Sequence, residues 1–426
     1  MQNTVKEAGI PATFDPVDWN PPGLPTDADE VVAWMVDPSR RGELYPLYHQ
    51  LRRLASVHKC TPEMFHGAWV LTGFDATDDL FKNPKAVNDP AVVEEAFHHT
   101  DGAFYDVMRN VMIWQNPEPH QRVRSLVWRA FTPRAMARWR PIAEQVTSEL
   151  CDRVAADGGM ELVEQFNYEL PFNVIAHILE VPESDFPHIK QLSWDFARAG
   201  EKVVSAEIAQ RGDVAAQGLV DYFTGLIERR RSNPGEDLLS SLIAAEEDGD
   251  RLNHTELVAN CILLLQAGHE TTQDLIGNAM VGLFRSPDQL ALLREKPDLM
   301  KNAVEEFLRF DASVQINHRV VLEDTVVDDV TIPAGDMIYT FLGAVNRDPA
   351  RWDEPDRLDV TRDVGHHIAF SFGAYYCIGA SLARTEIDVA VSTLLDRFPE
   401  IRPASDHFEW RNTLQLRGPK ILDVVW

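Results

Sequence analysis

The sequence predicts a mainly helical α+β protein, and three observations support this fold class. Two segments repeat apolar residues at helical spacing, one starting near Asn253 and one following Cys377. Segments with the alternating pattern of strands are fewer and shorter. The chain has 426 residues, 45% of them apolar, with no internal repeat or low-complexity linker. It is long enough to bury a large core, and we expect one domain.

The longest predicted helix begins at Asn253. Asn253 followed three residues later by Glu256 is typical of a helix start where each side chain bonds a backbone amide of the other. The pattern continues to Ser286-Pro287, where the proline disfavours helix in the preceding residue. A helix of roughly 30 residues is about 45 Å long and would cross the middle of the molecule.

The remaining elements are shorter. The helix after Cys377 has one apolar stripe and stops at Pro399. The stripe consists of Ala383, Ile387, Ala390, Val391, Leu394, Leu395 and Phe398. Strand patterns occur at 66–73, at 317–341 around a Pro-Ala-Gly turn, and at 420–426. These segments predict small sheets near the N-terminus and in the last third.

Composition and charge exclude several classes of partner. The formal charge of −27, from 67 acidic and 40 basic residues, repels nucleic acid and anionic lipid. The first 25 residues contain no basic region followed by an apolar run, and CILLLQAG at 261–268 is too short to span a bilayer. We expect a soluble, cytoplasmic protein that binds neither nucleic acid nor membrane.

Three of the four cysteines show no metal-site or CxxC spacing, and we expect them to be small buried hydrophobes in a reducing compartment. They are Cys60, Cys151 and Cys261.

Cys377 stands in FSFGAYYCIGASLAR, just before a helix. A helix start favours the thiolate form, and Gly373 and Gly379 let the backbone pass close to a flat group. The loop fits a thiolate ligand of haem iron. It also fits a cysteine packed at a helix start, and the loop alone leaves both interpretations open.

FSFGAYYCIG resembles the cysteine-ligand loop of the cytochrome P450 family, with Phe370, Gly373, Cys377 and Gly379 at matching positions. The resemblance runs from residue 45 to the C-terminus, which makes residues 1–44 an extension packed on a single domain of residues 1–426. It implies the P450 fold, with haem b (iron protoporphyrin IX) between the long central helix and this loop. It also implies that Cys377 is the axial ligand of the iron.

The same resemblance nominates residues that hold the haem propionates. His120 and Arg124 lie in a helix that resembles the family's propionate-binding helix, and Arg319 in NHRVV matches a further arginine. Two positions depart from the family. Ser371 replaces a frequent glycine, and Tyr375 stands where His or Arg usually meets a propionate. A tyrosine hydroxyl donates a hydrogen bond but carries no charge, so the other cations matter more here.

AGHETT at 267–272 resembles the oxygen-activation segment of the family. A zinc-protease HExxH motif is excluded because Gln273 occupies the position of the second histidine. The resemblance assigns proton delivery to Glu270 and Thr271 in a helix locally opened at Gly268. In the alternative interpretation, Thr271 bonds back to the carbonyl four residues earlier and Glu270 is solvated.

Helical spacing from Thr271, together with an apolar strand region, nominates walls for a substrate pocket. The candidates are Leu263, Gln266, Ala267, Val314 and Ile316. We expect the Gln266 amide either to anchor a polar group of the substrate or to turn toward a neighbouring backbone group. The aromatic and Met-rich segment 97–114 is expected to cover the pocket, which suits a small hydrophobic substrate.

A buried charge cluster is also implied. Glu306 and Arg309 are three residues apart on one helix face. WDEPDRLD at 352–359 resembles the segment that supplies the family's second arginine, here Arg357. The three would form a buried triad on the haem side of the core.

Residues 121–140 form a basic island, with six arginines and no acid. We expect an acidic iron–sulfur ferredoxin to dock there and deliver electrons, near Arg129, Arg134 and Arg138. The alternative interpretation is that these arginines contact the haem propionates and form a solvated face.

The resemblance implies a monooxygenase that inserts one atom of O2 into its substrate. Two alternatives stay open. One is a haem-thiolate enzyme that is driven by peroxide, or that couples or dehydrates its substrate without oxygen insertion. The other is a non-catalytic haem-binding sensor.

Overall fold

The structure is a computed structural model. It describes residues 21–89, 101–200, 205–235, 237–247, 252–406 and 408–426, without the side chains of 129, 130 and 133–137. Helices dominate these ranges, as the sequence predicts. The α-helices are α1 (Ala28–Val36), α2 (Leu44–Leu54), α3 (Phe74–Lys82), α4 (Ala103–Met108), α5 (Pro117–Val127), α6 (Pro133–Val154), α7 (Glu169–Ile178), α8 (Phe186–Ala199), α9 (Ala206–Ser232), α10 (Leu238–Glu247), α11 (His254–Arg285), α12 (Pro287–Glu295), α13 (Met300–Phe310), α14 (Leu342–Val345) and α15 (Ala380–Arg397).

The strands are short and form four small sheets. They are β1 (Val57–Lys59), β2 (Trp69–Leu71), β3 (Ala86–Val87), β4 (Gly159–Glu161), β5 (Ile316–Val321), β6 (Thr325–Val327), β7 (Val330–Ile332), β8 (Met337–Phe341), β9 (Arg402–Pro403), β10 (Glu409–Trp410), β11 (Pro419–Ile421) and β12 (Asp423–Val425). The largest sheet has the order β1-β2-β8-β5-β3, with only β2 and β8 parallel. All three predicted strand regions are confirmed.

The predicted central helix is confirmed as α11, which has 32 residues. The Asn253 side chain accepts a hydrogen bond from the Glu256 amide at 2.9 Å, and the Glu256 carboxylate accepts from the Asn253 amide at 3.0 Å. Most residues of α11 are buried, because several helices pack against it. Polar groups in its middle therefore require partners from other elements.

Packing around α11 brings the predicted apolar helix into the same core. The stripe of α15 is buried except Ala383, which is half-buried, and the chain leaves the helix at Phe398 before Pro399.

Cys60, Cys151 and Cys261 are free and buried, as predicted. Burial raises the pKa of the Cys151 thiol to about 11 and that of the Cys261 thiol to about 12. These thiols stay protonated.

The N-terminal region makes ordered contacts from residue 21 onward. Helix α1 packs on α2, and His58 Nε2 lies 2.9 Å from Asp29 Oδ1, which ties α1 to strand β1. Residues 1–20 lie outside the described residues, so the extension over 1–44 stays a prediction. No helix in the described ranges is long and apolar enough to cross a membrane.

The buried charge cluster contains a different second arginine from the one expected. Arg309 donates to both carboxylate oxygens of Glu306, at 2.7 and 2.8 Å, and both side chains are fully buried. The third member is Arg362, whose Nε lies 3.2 Å from Glu306 Oε1. The expectation for Arg357 is wrong, because its side chain is 55% exposed and pairs with Glu354.

We predict that Arg362→Ala destabilises the protein by about 2 kcal/mol, because a fully buried carboxylate loses a charged hydrogen-bond donor. Arg357→Ala is the matched control and changes the unfolding free energy by less than about 0.5 kcal/mol. Urea unfolding of both variants measures the difference. Equal losses would contradict the assignment of Arg362 to the triad.

Candidate active site

A cavity lies between the middle of α11 and the Cys377 loop, residues 370–379. Residues of α11 form one wall: Leu264, Ala267, Gly268, Thr271, Thr272 and Leu275. The loop and the start of α15 form the opposite wall: Phe370, Ser371, Tyr375, Cys377, Ile378, Gly379, Leu382, Ala383 and Glu386. This is the position in which the sequence resemblance predicts the haem.

The Cys377 loop is held by close backbone packing. The Cys377 amide donates to the carbonyl of Phe370 at 3.0 Å, which closes the loop. Gly373 has φ +70°, and a Cβ on it would lie 2.3 Å from the Phe81 carbonyl oxygen. Only glycine fits there. Gly373 therefore shapes the loop but does not line the cavity, whereas Phe370 and Cys377 do.

The charge on the Cys377 sulfur is opposed by burial and favoured by its neighbours. Burial raises the pKa of the thiol, while the amides of Gly379 and Ala380 and the cations of Arg124 and Arg384 act in the opposite direction. The amide contribution comes from the start of α15, as the sequence predicts. A cation bound at the sulfur is needed to make the thiolate the stable form.

Arg319 is a fully buried cation beside the Cys377 loop. Its acceptors are all neutral: Asn88 Oδ1 at 3.0 Å, Asn317 Oδ1 at 2.9 Å, the His318 carbonyl at 2.6 Å and Ser371 Oγ at 3.0 Å. Burial lowers the pKa of this guanidinium to about 10. Its Nε has no acceptor among the described residues. A buried guanidinium without a carboxylate partner fits an anionic ligand.

His120 and Arg124 lie beside the same loop. His120 Nδ1 lies 2.9 Å from the Met112 carbonyl and its Nε2 lies 3.1 Å from the Ala374 carbonyl. Burial lowers the pKa of this histidine, and a neutral ring donates to only one of the two carbonyls. The Arg124 side chain has no hydrogen bond or ion pair among the described residues. These groups, with Cys377 and Arg319, fit a flat cofactor that carries carboxylates and a cationic metal.

Helix α11 runs unbroken through the segment that resembles the oxygen-activation site, so the expected local opening is not observed. Thr271 Oγ1 donates to the Ala267 carbonyl at 2.9 Å, which is the alternative bond considered above. Glu270 is not simply solvated, because Arg411 Nη2 lies 3.5 Å from its Oε1. A Cβ on Gly268 would lie 2.7 Å from the Ile175 side chain, so this glycine allows α7 to approach.

The predicted pocket wall on α11 is wrong by one residue. Leu264 lines the cavity, while Leu263 packs in the core. At 100° per residue, Leu264 lies within about 20° of Thr271 around the helix and Leu263 about 80° away. Ala267 lines the cavity as expected.

Two other wall candidates also point elsewhere. Gln266 donates from Nε2 to the Ser193 carbonyl at 3.4 Å, the second of the two alternatives, and does not line the cavity. Ile316 packs into the core beneath the largest sheet, because successive strand residues face opposite sides and Asn317 faces the cavity. Val314 lines the cavity.

The expected pocket cover is only partly described. Residues 97–100 lie outside the described residues, and none of residues 101–114 lines this cavity. Phe104 of α4 packs on Phe196 of α8, with ring centroids 4.7 Å apart.

Glu386 is a cavity residue that the sequence reasoning missed. Its side chain is buried on α15, and burial raises the pKa of its carboxyl well above the usual range. The Thr272 hydroxyl on α11 acts in the opposite direction. The signal was available, because Glu386 is three residues after Ala383, on the face that the apolar stripe defines.

The basic island contacts α15, the helix that follows Cys377. Arg140 on α6 pairs with Asp388 on α15 at 2.9 Å. Arg138 is exposed, whereas the side chains of Arg129 and Arg134 are outside the described residues. Arg122 pairs with Glu256 and so is held at the start of α11.

Comparison with known proteins gives consistent matches. The family model described as Cytochrome P450 matches residues 188–407. Cytochrome P450 107B1 of Saccharopolyspora erythraea is 37% identical over 366 residues, which cover 84% of this chain and 89% of that protein. The vitamin D(3) 25-hydroxylase of Pseudonocardia autotrophica is 38% identical over 391 residues, with 89% and 93% coverage. A crystal structure of P450BioI, in complex with acyl carrier protein ligated to hexadec-9Z-enoic acid, has a TM-score of 0.84 and 34% identity over 91% of this chain and 99% of that chain.

We predict that Leu264→Trp weakens binding of 4-phenylimidazole to the haem-loaded protein by about tenfold, because the larger side chain overfills the cavity. Gln266→Leu is the control and changes the affinity by less than about twofold, since its side chain lies outside the cavity. Titrations followed by the shift of the haem absorption band measure both. A large loss in Gln266→Leu, with none in Leu264→Trp, would contradict this wall assignment.

Proposed function

The chain belongs to the cytochrome P450 family, and we propose that it uses haem b to insert one oxygen atom of O2 into a small hydrophobic molecule. The observation that carries the proposal is that Cys377 and a cation without a carboxylate partner lie in the same region. Cys377 lines the cavity, and the buried Arg319 beside its loop has only neutral acceptors. Haem would supply an iron cation for the sulfur and carboxylates for the guanidinium.

The chain's own residues have separate tasks in this proposal. Bound haem supplies the redox chemistry, in which a thiolate ligand pushes electron density toward oxygen. Cys377 provides the sulfur, while His120, Arg124 and Arg319 orient the cofactor through its carboxylates. Arg124 and Arg319 have no carboxylate partner among the described residues, and His120 would exchange one of its backbone carbonyl contacts for the cofactor.

Proton delivery is proposed for Glu270 and Thr271. Thr271 lines the cavity, and its hydroxyl would give up its present bond to the Ala267 carbonyl to donate a proton into the cavity. Glu270 precedes it on α11 and reaches outward to Arg411. A hydroxyl facing the cavity beside a carboxylate on its outer side allows a proton to enter while the cavity wall excludes bulk water.

The substrate is proposed to be apolar over most of its surface. Leucines and other apolar groups dominate the α11 wall, and Val314 and Phe131 extend it. The named relatives support this class, since one is a vitamin D(3) hydroxylase and one solved neighbour is complexed with a fatty acyl carrier protein.

The electron donor is proposed to be an acidic ferredoxin that docks beside α6. Arg138 is exposed on this helix, and the Arg140–Asp388 pair joins it to α15, the helix that follows the thiolate ligand. In a chain of charge −27, a local basic surface steers an acidic partner toward the sulfur side of the haem.

We predict that Thr271→Ala still consumes reductant and O2 but releases hydrogen peroxide, with coupling to product lowered by about tenfold or more. Thr271→Ser keeps the hydroxyl and is the control, with coupling near that of the natural chain. The measurement compares reductant consumed, product formed and peroxide released. Full coupling in Thr271→Ala would favour the peroxide-driven or coupling alternatives, and absence of turnover in the natural chain would favour a sensor.

We also predict that Arg138→Glu slows reduction by a ferredoxin by about tenfold at low ionic strength and that high salt removes the difference. Arg229→Glu makes the same charge change at an exposed site on α9 and leaves the rate unchanged. Stopped-flow reduction of the ferric haem gives both rates. Equal effects of the two variants would place the docking surface elsewhere.

A further inference from the structure

The two departures of the Cys377 loop from its family share one neighbour, Arg319. Ser371 Oγ accepts from Arg319 Nη2 at 3.0 Å, and the Arg319 guanidinium carbon lies 4.7 Å from the centre of the Tyr375 ring. The same guanidinium lies 4.6 Å from the ring of Phe81. A cation over aromatic faces is attracted by them, most strongly where water is excluded. Arg319 is 1% exposed, so these contacts are made without competing water.

Tyr375 also contacts His120. Their ring centroids are 4.3 Å apart, with the planes tilted by 42°. One tyrosine ring therefore touches two of the groups that are proposed to hold the haem carboxylates. Tyr375 also lines the cavity.

The Tyr375 hydroxyl is turned toward backbone groups. It lies 3.5 Å from the Gln115 carbonyl, and the amide of Asn88 is its second partner. These partners leave the aromatic face, and not the hydroxyl, as the part of Tyr375 that contacts Arg319 and His120.

Ser371 occupies a backbone conformation that favours glycine. Its φ is +61°, which costs a non-glycine residue about 1 kcal/mol. The residue is buried, and its hydroxyl is an acceptor for a guanidinium that lacks a carboxylate. Glycine would remove the strain and also remove that acceptor. The hydrogen bond from Arg319 to the Ser371 hydroxyl therefore explains why a serine occupies this strained position.

We propose that Tyr375 and Ser371 are positioning residues that fix Arg319 and His120 for the haem carboxylates, in place of the cation usual at position 375. The ring supplies a desolvated surface for two donors, and the hydroxyl of Ser371 sets the rotation of the guanidinium. This inference rests on the haem site proposed above.

The test measures transfer of haem from the ferric protein to excess apomyoglobin. Tyr375→Leu removes the aromatic face while keeping an apolar side chain, and raises the transfer rate by about tenfold. Tyr375→Phe keeps the ring, removes the hydroxyl and stays within about twofold of the natural chain. A fast Tyr375→Phe, or an unchanged Tyr375→Leu, overturns the role of the ring.

A double-mutant comparison shows whether Tyr375 acts through Arg319. In the Arg319→Lys background, Tyr375→Leu raises the rate by less than about threefold, since the guanidinium that it positions is absent. The same tenfold factor in both backgrounds overturns the proposal.

Ser371→Gly separates positioning from general stability. The variant loses haem a few times faster, although its unfolding midpoint is unchanged or higher because the strain is relieved. A slower or unchanged transfer rate overturns the role of Ser371.

The comparison uses only proteins whose reduced carbon monoxide complex shows the red-shifted band of thiolate ligation. Failure of the natural chain to show that band contradicts the proposed function itself. The variant rates bear on positioning alone.

Discussion

The organisation of the site depends on two groups whose charged forms are disfavoured by their surroundings, the Cys377 sulfur and the Arg319 guanidinium. Burial raises the pKa of the Cys377 thiol, and burial lowers the pKa of the Arg319 guanidinium. Both shifts oppose the charged form, which is the form that the proposed haem site needs. A cofactor with a metal cation at the sulfur and carboxylates at the guanidinium would relieve both at once. Such a ligand would therefore stabilise the loop that binds it.

Much of this arrangement could be read from local signals in the sequence. The cap at Asn253, the stop at Pro399 and the Pro-Ala-Gly turn each act over a few residues, and the structure contains the predicted element in every case. The Cys377 loop was recognisable by its resemblance to the family's cysteine-ligand loop, which includes Gly373 at a backbone φ of +70°. Local chemistry does not depend on how distant segments meet.

The wrong predictions concern contacts that depend on tertiary structure. Which arginine pairs with Glu306 depends on the path of the chain after Arg357. That path brings Arg362, and not Arg357, to the carboxylate. Leu263 and Leu264 differ by 100° around α11, so a count of eight residues selected the wrong neighbour. Gln266 was correctly seen as unusual, but only the position of α8 shows that its amide faces the Ser193 carbonyl.

Arg411 could not have been found from spacing, because it lies about 140 positions from its partners. It belongs to the β10–β11 hairpin, which can approach α11 because Gly418 has no Cβ. A Cβ at this position would overlap the Asp274 side chain. Its guanidinium lies 3.1 and 3.2 Å from the two oxygens of Asp274, but 3.5 Å from the nearer oxygen of Glu270.

The two carboxylates are one helical turn apart and would repel each other without this cation. Asp274 is fully buried and takes the shorter contacts, so it anchors the arginine. Glu270 has a longer contact with this arginine, and its side chain is 15% exposed. The uneven sharing fits the proposal that Glu270, and not Asp274, serves in proton delivery, while Asp274 keeps the hairpin fixed to the central helix.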